Sequence, residues 1–510
     1  MLEYFLAGAG LRFSQVVIYS SMWIVIGCLI AGIFRRMLGP EKTRRIFGNG
    51  TKFGLLAGWL IGMLLPVCSL GVIPIVRELH RVGVNRGTIV AFGLTAPLFN
   101  PMSVLYGLTL SDPIAILSFS LCALFIVSVL GFFWDRFTTV SEKELLHEKM
   151  PVPGIRRTIA VFDSATRELV SPTMLFILLG IAGSVLLAVV FPKGFLQNQV
   201  ERDNILAPIT VALIATPVYS TPLLAMSQIG GMFQHGNSIG AAFSLLILGA
   251  GANLGLLCWF GITYGMRRVA IFCLLLLVIT VGLAYVIDKP LRPKGVEPAG
   301  HSHAFDVYTH PFAQDYNQDQ YGLAKTKALN FHAKNEVGAT YILLGMILVG
   351  LMFGMLSTKF DLEKWYLVEK AKTSKNMDII LPGWFLGIVS VVGLVVASVV
   401  GCYLYYPKAS EALADLSIVN ADVVISSKQE EWEAAEKWIS YADDISRRME
   451  VGAFLRNFKI DEFQTTKARI YREKLDTLKE SVDGRDASHV EERASDVNQA
   501  YFRLRKAFAE

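Results

Sequence analysis

Charge is what this chain has least of. Of its 510 residues, 18% are charged and 53% are hydrophobic, which excludes an ordinary soluble protein. The formal net charge of +5 is small for this length and argues against nucleic acid as a partner. Four apolar stretches, 53–76, 88–109, 205–233 and 238–262, contain no Asp, Glu, Lys or Arg at all. Charges inside a membrane mark proton relays and cation paths, so any site built from these stretches is neutral. The six cysteines all lie in apolar segments and none forms a CxxC pair, which removes redox-motif and c-type haem readings. Five of them read as small apolar residues; Cys68 stands apart because of its neighbours. No phosphate-cradling GxxxxGK[ST] loop occurs, which argues against an ATP-driven pump within this chain. No nucleophile–base pattern marks an enzyme, and no cofactor is expected.

What the chain does have is apolar runs of about 20 residues, enough to cross a hydrocarbon core of roughly 30 Å. Ten segments read this way, near 14–34, 53–80, 88–109, 112–133, 169–191, 205–233, 238–262, 268–288, 339–357 and 380–404. The N-terminus carries Glu3 before any Lys or Arg, and its first strong apolar run starts near Val16. That pattern reads as a retained anchor rather than a cleaved leader.

The first eight segments form two sets of four, offset by about 150 residues, as an internal duplication does. Pro66-Val67-Cys68-Ser69 interrupts the second segment of one set, and Pro217-Val218-Tyr219-Ser220 that of the other. Gly83, Gly87 and Asn100 follow the first, and Gly236, Gly240 and Asn253 follow the second. Gly-to-Gly spacing is 4 and Gly-to-Asn spacing 13 in both copies, while Pro-to-Gly spacing is 17 against 19. Breaks at matching points of two halves are the usual trace of a transporter whose site lies at the repeat interface.

Loop charge gives an orientation. Arg35, Arg36, Lys42, Arg44, Arg45 and Lys52 place the first loop inside, and Arg136, Lys143, Lys149, Arg156, Arg157 and Arg167 ask the same of 134–168. Four plain crossings cannot satisfy both. A re-entrant hairpin at 53–80, mirrored at 205–233, leaves three crossings per set and makes the repeats inverted; ten kinked crossings are the alternative. Either way 289–338 falls outside, the Lys-rich 358–379 inside and the C-terminus outside.

Within the breaks, Pro66 and Pro217 cannot donate a backbone hydrogen bond and each frees a carbonyl one turn earlier. Ser69 and Ser220 are expected to cap new half-helices, whose N-termini favour an anion. Asn100 and Asn253 are expected to serve the solute or a gate at mirrored points. Thr95, Ser103 and Thr216 read as plain helix-to-helix bonds.

The run Pro66 to Pro74, then Gly83, Gly87, Ala91-Phe92 and Ala96-Pro97-Leu98-Phe99-Asn100-Pro101 resembles the signature of the predicted-permease family that includes the organoarsenical efflux permeases. Pro217 to Asn253 resembles its weaker second copy, and the similarity covers about 14–288. The resemblance implies a secondary permease, with efflux of a metalloid or thiol-reactive compound as one role. That family pattern often has a second cysteine two after the first, where this chain has Leu70.

The remaining features complete the expectation. His301, His303 and His310 in the outer loop have a spacing that suits a metal ion, although the composition reads first as a solvated linker. Residues 408–510 lose Pro entirely and read as an antiparallel helical bundle or coiled coil. Helices are expected over about 427–456, from Asp461 to about 482, and after a Ser488–Glu491 capping box. Asp443-Asp444 with Arg447-Arg448 read as surface ion pairs.

The expected protein is thus an all-α integral membrane protein of the bacterial cytoplasmic membrane. Its parts are repeat one (1–140), a cytoplasmic loop (141–168), repeat two (169–288), an outer loop (289–338), a hairpin (339–404) and an outer helical domain (405–510). Pro66, Cys68, Ser69 and Asn100 would face Pro217, Tyr219, Ser220 and Asn253 around a small-molecule or ion substrate, with lipid around the whole. The alternative is a membrane-anchored scaffold or assembly factor that binds a protein partner, or itself, through 408–510.

Overall fold

The computed structural model describes residues 2–48, 53–137, 155–192, 194–293, 296, 298, 302–311, 334–356 and 381–508. Every regular element among them is helical. The first helix, α1 (Leu2–Ile33), passes through a π-helical turn at Phe34–Leu38 into α2 (Gly39–Ile46). The apolar run read from Val16 therefore belongs to one 44-residue rod, Glu3–Ile46.

Repeat one continues as α3 (Gly54–Leu64), α4 (Val72–Arg81), α5 (Arg86–Thr95), α6 (Pro101–Leu110) and α7 (Pro113–Phe137). The expected loop 141–168 contains an amphipathic helix, α8 (Ile155–Leu169), packed along α1. Repeat two is α9 (Thr173–Val190), α10 (Ala207–Ala215), α11 (Pro222–Gln234), α12 (Ile239–Ser244, prolonged by a π turn at Leu245–Ala250), α13 (Leu254–Tyr264) and α14 (Met266–Asp288). The expected hairpin is α15 (Lys334–Leu356) and α16 (Gly383–Tyr405), but the two helices pack on different neighbours, α15 on α1 and α8, and α16 on the π turn and α6. The Lys-rich loop between them lies outside the described residues.

Six helices among the described residues are long and apolar enough to cross a membrane, or seven if α12 and α13, bent by 57°, count as one span. Ten apolar segments were expected, with the second of each set broken; in the structure the third of each set is broken as well. Pro101 accounts for the first of these extra breaks. A proline pushes the residue before it out of the helical region, and Asn100 is extended at φ −137° and ψ 166°. Asn253 adopts the same conformation, φ −136° and ψ 161°, after the Gly251-Ala252 pair.

Both matched glycine pairs have a structural reason. Gly83 and Gly236 have φ of 80° and 61°, a left-handed conformation that glycine adopts without steric cost. Each closes a helix: Val84 N–H bonds the Leu79 carbonyl at 3.0 Å, and Asn237 N–H the Met232 carbonyl at 2.9 Å. Gly87 and Gly240 are sites of close approach, since a Cβ there would lie 2.4 Å from the Gly131 carbonyl and 2.6 Å from the Ala284 carbonyl respectively. Both carbonyls lie 44 positions downstream.

Helix α16 indicates which features lie at which end. Gly387, early in α16, packs against Leu38 of the π turn, while the Tyr406 hydroxyl, just past its end, donates to the Met102 carbonyl at 3.2 Å. A helix of 23 residues is about 34 Å long. Arg35 and Arg36 therefore lie at the opposite end from the start of α6. On the arginine side, Arg36 Nε donates to Ser164 at 2.9 Å and Arg77, near the end of α4, pairs with Glu168 at 2.5 Å.

Residues after Pro407 fold as four helices, α17 (Ala409–Lys428), α18 (Trp432–Asn457), α19 (Glu462–Asp483) and α20 (Ala487–Phe508). Each packs on its two neighbours in a closed ring, as in an antiparallel four-helix bundle. Leu416, Val423, Met449, Tyr471, Leu475 and Leu504 fill the centre. The sequence reading missed α17, which is poor in charge and follows α16 closely. The residue before the last helix is Asp486, whose carboxylate accepts from Ser488 N–H at 3.1 Å; Ser488 is itself already helical, so it is not the cap.

The bundle stands on the membrane part. Arg472 Nε donates to Gln234 at 3.2 Å, and His235 Nε2 lies 3.2 Å from Asp476. Arg447 pairs with Asp443 at 2.7 Å as expected, but it is buried, on the helix that packs against α6 and within electrostatic reach of Tyr106. That pair belongs to the contact between bundle and membrane helices, not to a free surface.

Candidate functional site

Four chain breaks converge between the repeats. At the first, α3 ends at Leu64 and the chain runs through Pro66 into a turn in which Cys68 Sγ accepts the Gly71 N–H at 3.4 Å. Helix α4 begins only at Val72, so Ser69 is not its cap. The turn consumes the three intervening residues, and Ser69 Oγ is left buried with no partner. At the second break, Thr216 bonds back to its own helix at Ala212, 2.7 Å. Ser184 of α9 accepts the Tyr219 N–H at 2.6 Å. Here the cap is Thr221, not Ser220, because Pro222 occupies the first helical position. Proline suits that position, having no N–H to leave unpaired.

The caps that do recur are the two asparagines. Asn100 Oδ1 accepts from Ser103 N–H at 2.8 Å and opens α6, with Ser103 Oγ accepting the Asn100 N–H at 3.0 Å in return. Asn253 Oδ1 accepts from Leu256 N–H at 2.9 Å and opens α13. Asn253 also crosses between repeats: its Nδ2 donates to the Ser69 carbonyl at 2.6 Å. The equivalent atom of Asn100 is buried without a partner. The second pair of breaks also meets, since Gly251 packs against Leu98 and the Leu94 carbonyl.

Helices α1 and α9 cross these breaks closely. A Cβ on Gly27 would lie 2.0 Å from the Gly71 carbonyl, and one on Gly183 would lie 2.0 Å from the Pro217 carbonyl. Gly180 admits both Leu70 and the Asn253 side chain. The structure thus gathers Cys68, Ser69, Asn253, Tyr219 and Ser220 in one buried region. The Tyr219 hydroxyl lies beside the Cys68 thiol and Ser20 without completing a hydrogen bond. Cys68, Ser69, Asn100, Ser220 and Asn253 are fully buried, and Tyr219 is 3% exposed. Buried polar atoms are nearly always paired, so unpartnered Ser69 Oγ, Thr95 Oγ1, Asn100 Nδ2 and Tyr219 OH form an unusual concentration.

The expected plain helix-to-helix bonds of Thr95, Ser103 and Thr216 are not what forms: one is unpartnered, one closes a cap and one bonds its own helix. His301 lies outside the described residues, as does the side chain of His303, whereas His310 stacks on Tyr4 at 3.8 Å. Among the described residues no group of three His, Cys, Asp or Glu is placed to hold a metal.

The sequence reading missed four contributors. Asp135 and Asp288 each hold the N-terminus of a third-segment helix, accepting from Gly87 N–H at 2.7 Å and Gly240 N–H at 2.9 Å. Both lie 48 positions after their glycine, a spacing that could have been found. Tyr308 and Arg12 close one side of the region and have no counterpart in the repeat pattern.

The long apolar helices agree with what the chain is similar to. A family described as Predicted permease matches residues 6–289. UPF0718 protein YcgR of Bacillus subtilis is 38% identical over 90 residues, 18% of this chain and 31% of that protein. A Streptococcus mutans protein, named as a subunit of a two-component membrane permease complex, is 27% identical over 90 residues, 18% of this chain and 30% of that one. The matched regions span about a third of each relative's length. No solved structure matches the chain with significance. With more than half of its length matched and six or seven apolar spans, this multi-pass membrane protein belongs to the Predicted permease family.

Proposed function

We propose that the protein is a secondary-type permease that moves a small solute across the bacterial cytoplasmic membrane by alternating access between two inverted repeats. The observation that carries this reading is the Asn253–Ser69 bond, which joins the late break of one repeat to the early break of the other. Inversion is supported by where the half-helices lead. Helix α4 ends beside Glu168 on the arginine side, and α11 ends against the bundle. The solute binds among neutral groups: backbone at Pro66 and Pro217, the Cys68 thiol, Ser69, Tyr219, Ser220, and the amides of Asn100 and Asn253. Soft ligands favour soft partners, so the one thiol directs the reading to efflux of a metalloid or thiol-reactive compound. Leu70, packed against Gly180, leaves no second thiol at that point of the turn.

The test is flux of candidate solutes, chosen by thermal shift in detergent, through Asn100→Ala and Asn253→Ala. Both variants are expected to insert and to lose transport; wild-type flux in both would sink the proposal. The relative from Streptococcus is named for a complex, and we extend a protein partner at the bundle to this chain as a secondary reading. The scaffold alternative gives no use for two buried, matched sets of breaks.

A further inference from the structure

A short segment, 302–311, is inserted where the second break would otherwise open. Ser302, Phe305, Tyr308, Thr309 and His310 are all at most 2% exposed, unusual for loop residues, which normally run over a surface. Both ends of the segment are tied to the chain after α9: Ser302 N–H donates to the Gln197 carbonyl at 3.0 Å, and His310 N–H to the Phe191 carbonyl at 2.8 Å. Arg12 of α1 reaches over it. Its Nε donates to the Thr309 carbonyl at 3.1 Å, and its Nη2 to Thr309 and Asp306 carbonyls at 2.9 and 2.8 Å. Gln228 of α11 binds from the other side, donating to the Ala304 carbonyl at 2.5 Å and accepting from the Tyr308 hydroxyl at 3.2 Å.

What the segment covers is the Tyr219 end of the site. Tyr308 lies beside Ser220. A cavity of about 20 Å³ separates Val307 and Tyr308 from Ser184, Tyr219 and Thr221, with Arg12 on its rim. That volume holds about one water molecule, so a solute cannot pass while the segment is seated. Tyr219 in turn lies beside Cys68, which does not line the cavity.

Resting on the permease reading for its purpose, we propose that 302–311 is a gate over one mouth of the site. Tyr308 is the side chain that fills the route, and Arg12 is the latch that holds it shut. The latch is made of hydrogen bonds from one cationic group to carbonyls, so it can release and reform without breaking the fold. Charge-assisted bonds of this kind are stronger than neutral ones, which suits a closed resting state.

The experiment follows Cys68 as the single remaining cysteine of the full chain, purified in detergent, with a small charged maleimide as the probe. Labelling of a buried thiol requires local opening. Arg12→Gln and Tyr308→Ala are each expected to speed labelling by about tenfold or more, since the first removes charge-assisted bonds and the second the covering ring. Gly10→Ala, on the same helix with nothing within 4 Å of its added Cβ, is the control and is expected to leave the rate unchanged. A rise in either variant that the control lacks supports the gate, with elution profile and Tm reporting that each variant is folded. No rise in both, or an equal rise in the control, overturns it. The readout needs no solute. Dead gate variants with normal Asn100- and Asn253-dependent flux would therefore remove the gate alone, and the converse result would remove the permease reading alone.

Discussion

Asp135 accepts the Gly87 N–H at 2.7 Å across 48 positions of sequence. Asp288 and Gly240 repeat the relationship at 2.9 Å across the same interval. In each repeat the last long helix therefore holds the start of the third-segment helix, and its carboxylate does the work of a cap from outside the helix. The Asp288 carboxylate also accepts from Ser238 at 2.8 Å and from Arg292 at 2.7 Å.

Replacing Asp288 tests that arrangement. Asp288→Ala leaves the Gly240 N–H without its acceptor and should cost about 1–2 kcal/mol, the usual range for a lost N-terminal cap. Asp288→Asn keeps an acceptor and should cost less. Thermal unfolding in detergent reads the difference; equal losses would mean that only the charge matters.

Gly27 makes a steric prediction. Its Cβ would fall 2.0 Å from the Gly71 carbonyl, and backbone cannot swing aside as a side chain can. Gly27→Ala should lower stability by about 1–3 kcal/mol, as overpacking does, and should reduce folded yield. Gly231→Ala, with nothing within 4 Å, should instead be neutral or slightly stabilising, because alanine favours helix.

Glu450 and Arg472 pair inside the bundle at 2.9 Å with 1% and 3% of their side chains exposed. Burial pushes the Glu450 carboxyl up, and the Arg472 charge opposes that push. Glu450→Ala strands a buried guanidinium and should cost roughly 3–5 kcal/mol. Arg472 also bonds Gln234, so the same variant should loosen the bundle from the membrane helices, which limited proteolysis near Pro407 would detect.

Asp476 gives the docked bundle a pH dependence. Burial alone would raise its carboxyl, but the hydrogen bond and charge of His235, with Arg447 and Lys479 nearby, hold it below the ordinary range. A depressed pKa contributes stability above the unfolded value, about 3.9 for Asp, and loses it as pH falls through the folded value. Wild type should therefore exceed Asp476→Asn in Tm at neutral pH, and the gap should shrink as pH drops below about 4. A gap that does not depend on pH would contradict the charge-based account.

Much of this was readable beforehand. The repeated Gly-to-Gly and Gly-to-Asn spacings, each after a Pro-Val-X-Ser break, marked two related halves, and the structure brings Cys68, Ser69, Tyr219 and Asn253 into one region. What spacing could not convey was how the breaks are terminated. Ser69 had the composition of a cap, yet the Cys68–Gly71 turn starts the helix three residues later. Asn100 before Pro101 carried the stronger capping signal. The gate was illegible for a different reason: Tyr308 and Arg12 are 296 positions apart and meet only through tertiary folding. Likewise Arg447 has the i,i+4 partner of a surface ion pair, and nothing local announces that its helix is buried against α6.

The bundle grips both repeats at once. Tyr106 of α6 bonds Ser227 of α11 at 3.3 Å, α18 packs on α6, and Arg472 holds the end of α11. These three contacts tie one half-helix of each repeat into a single stiff block. A rearrangement that keeps this block intact would pivot about the unwound residues 96–100 and 216–221 where those half-helices begin, and the four helices after Pro407 would travel with it as a handle.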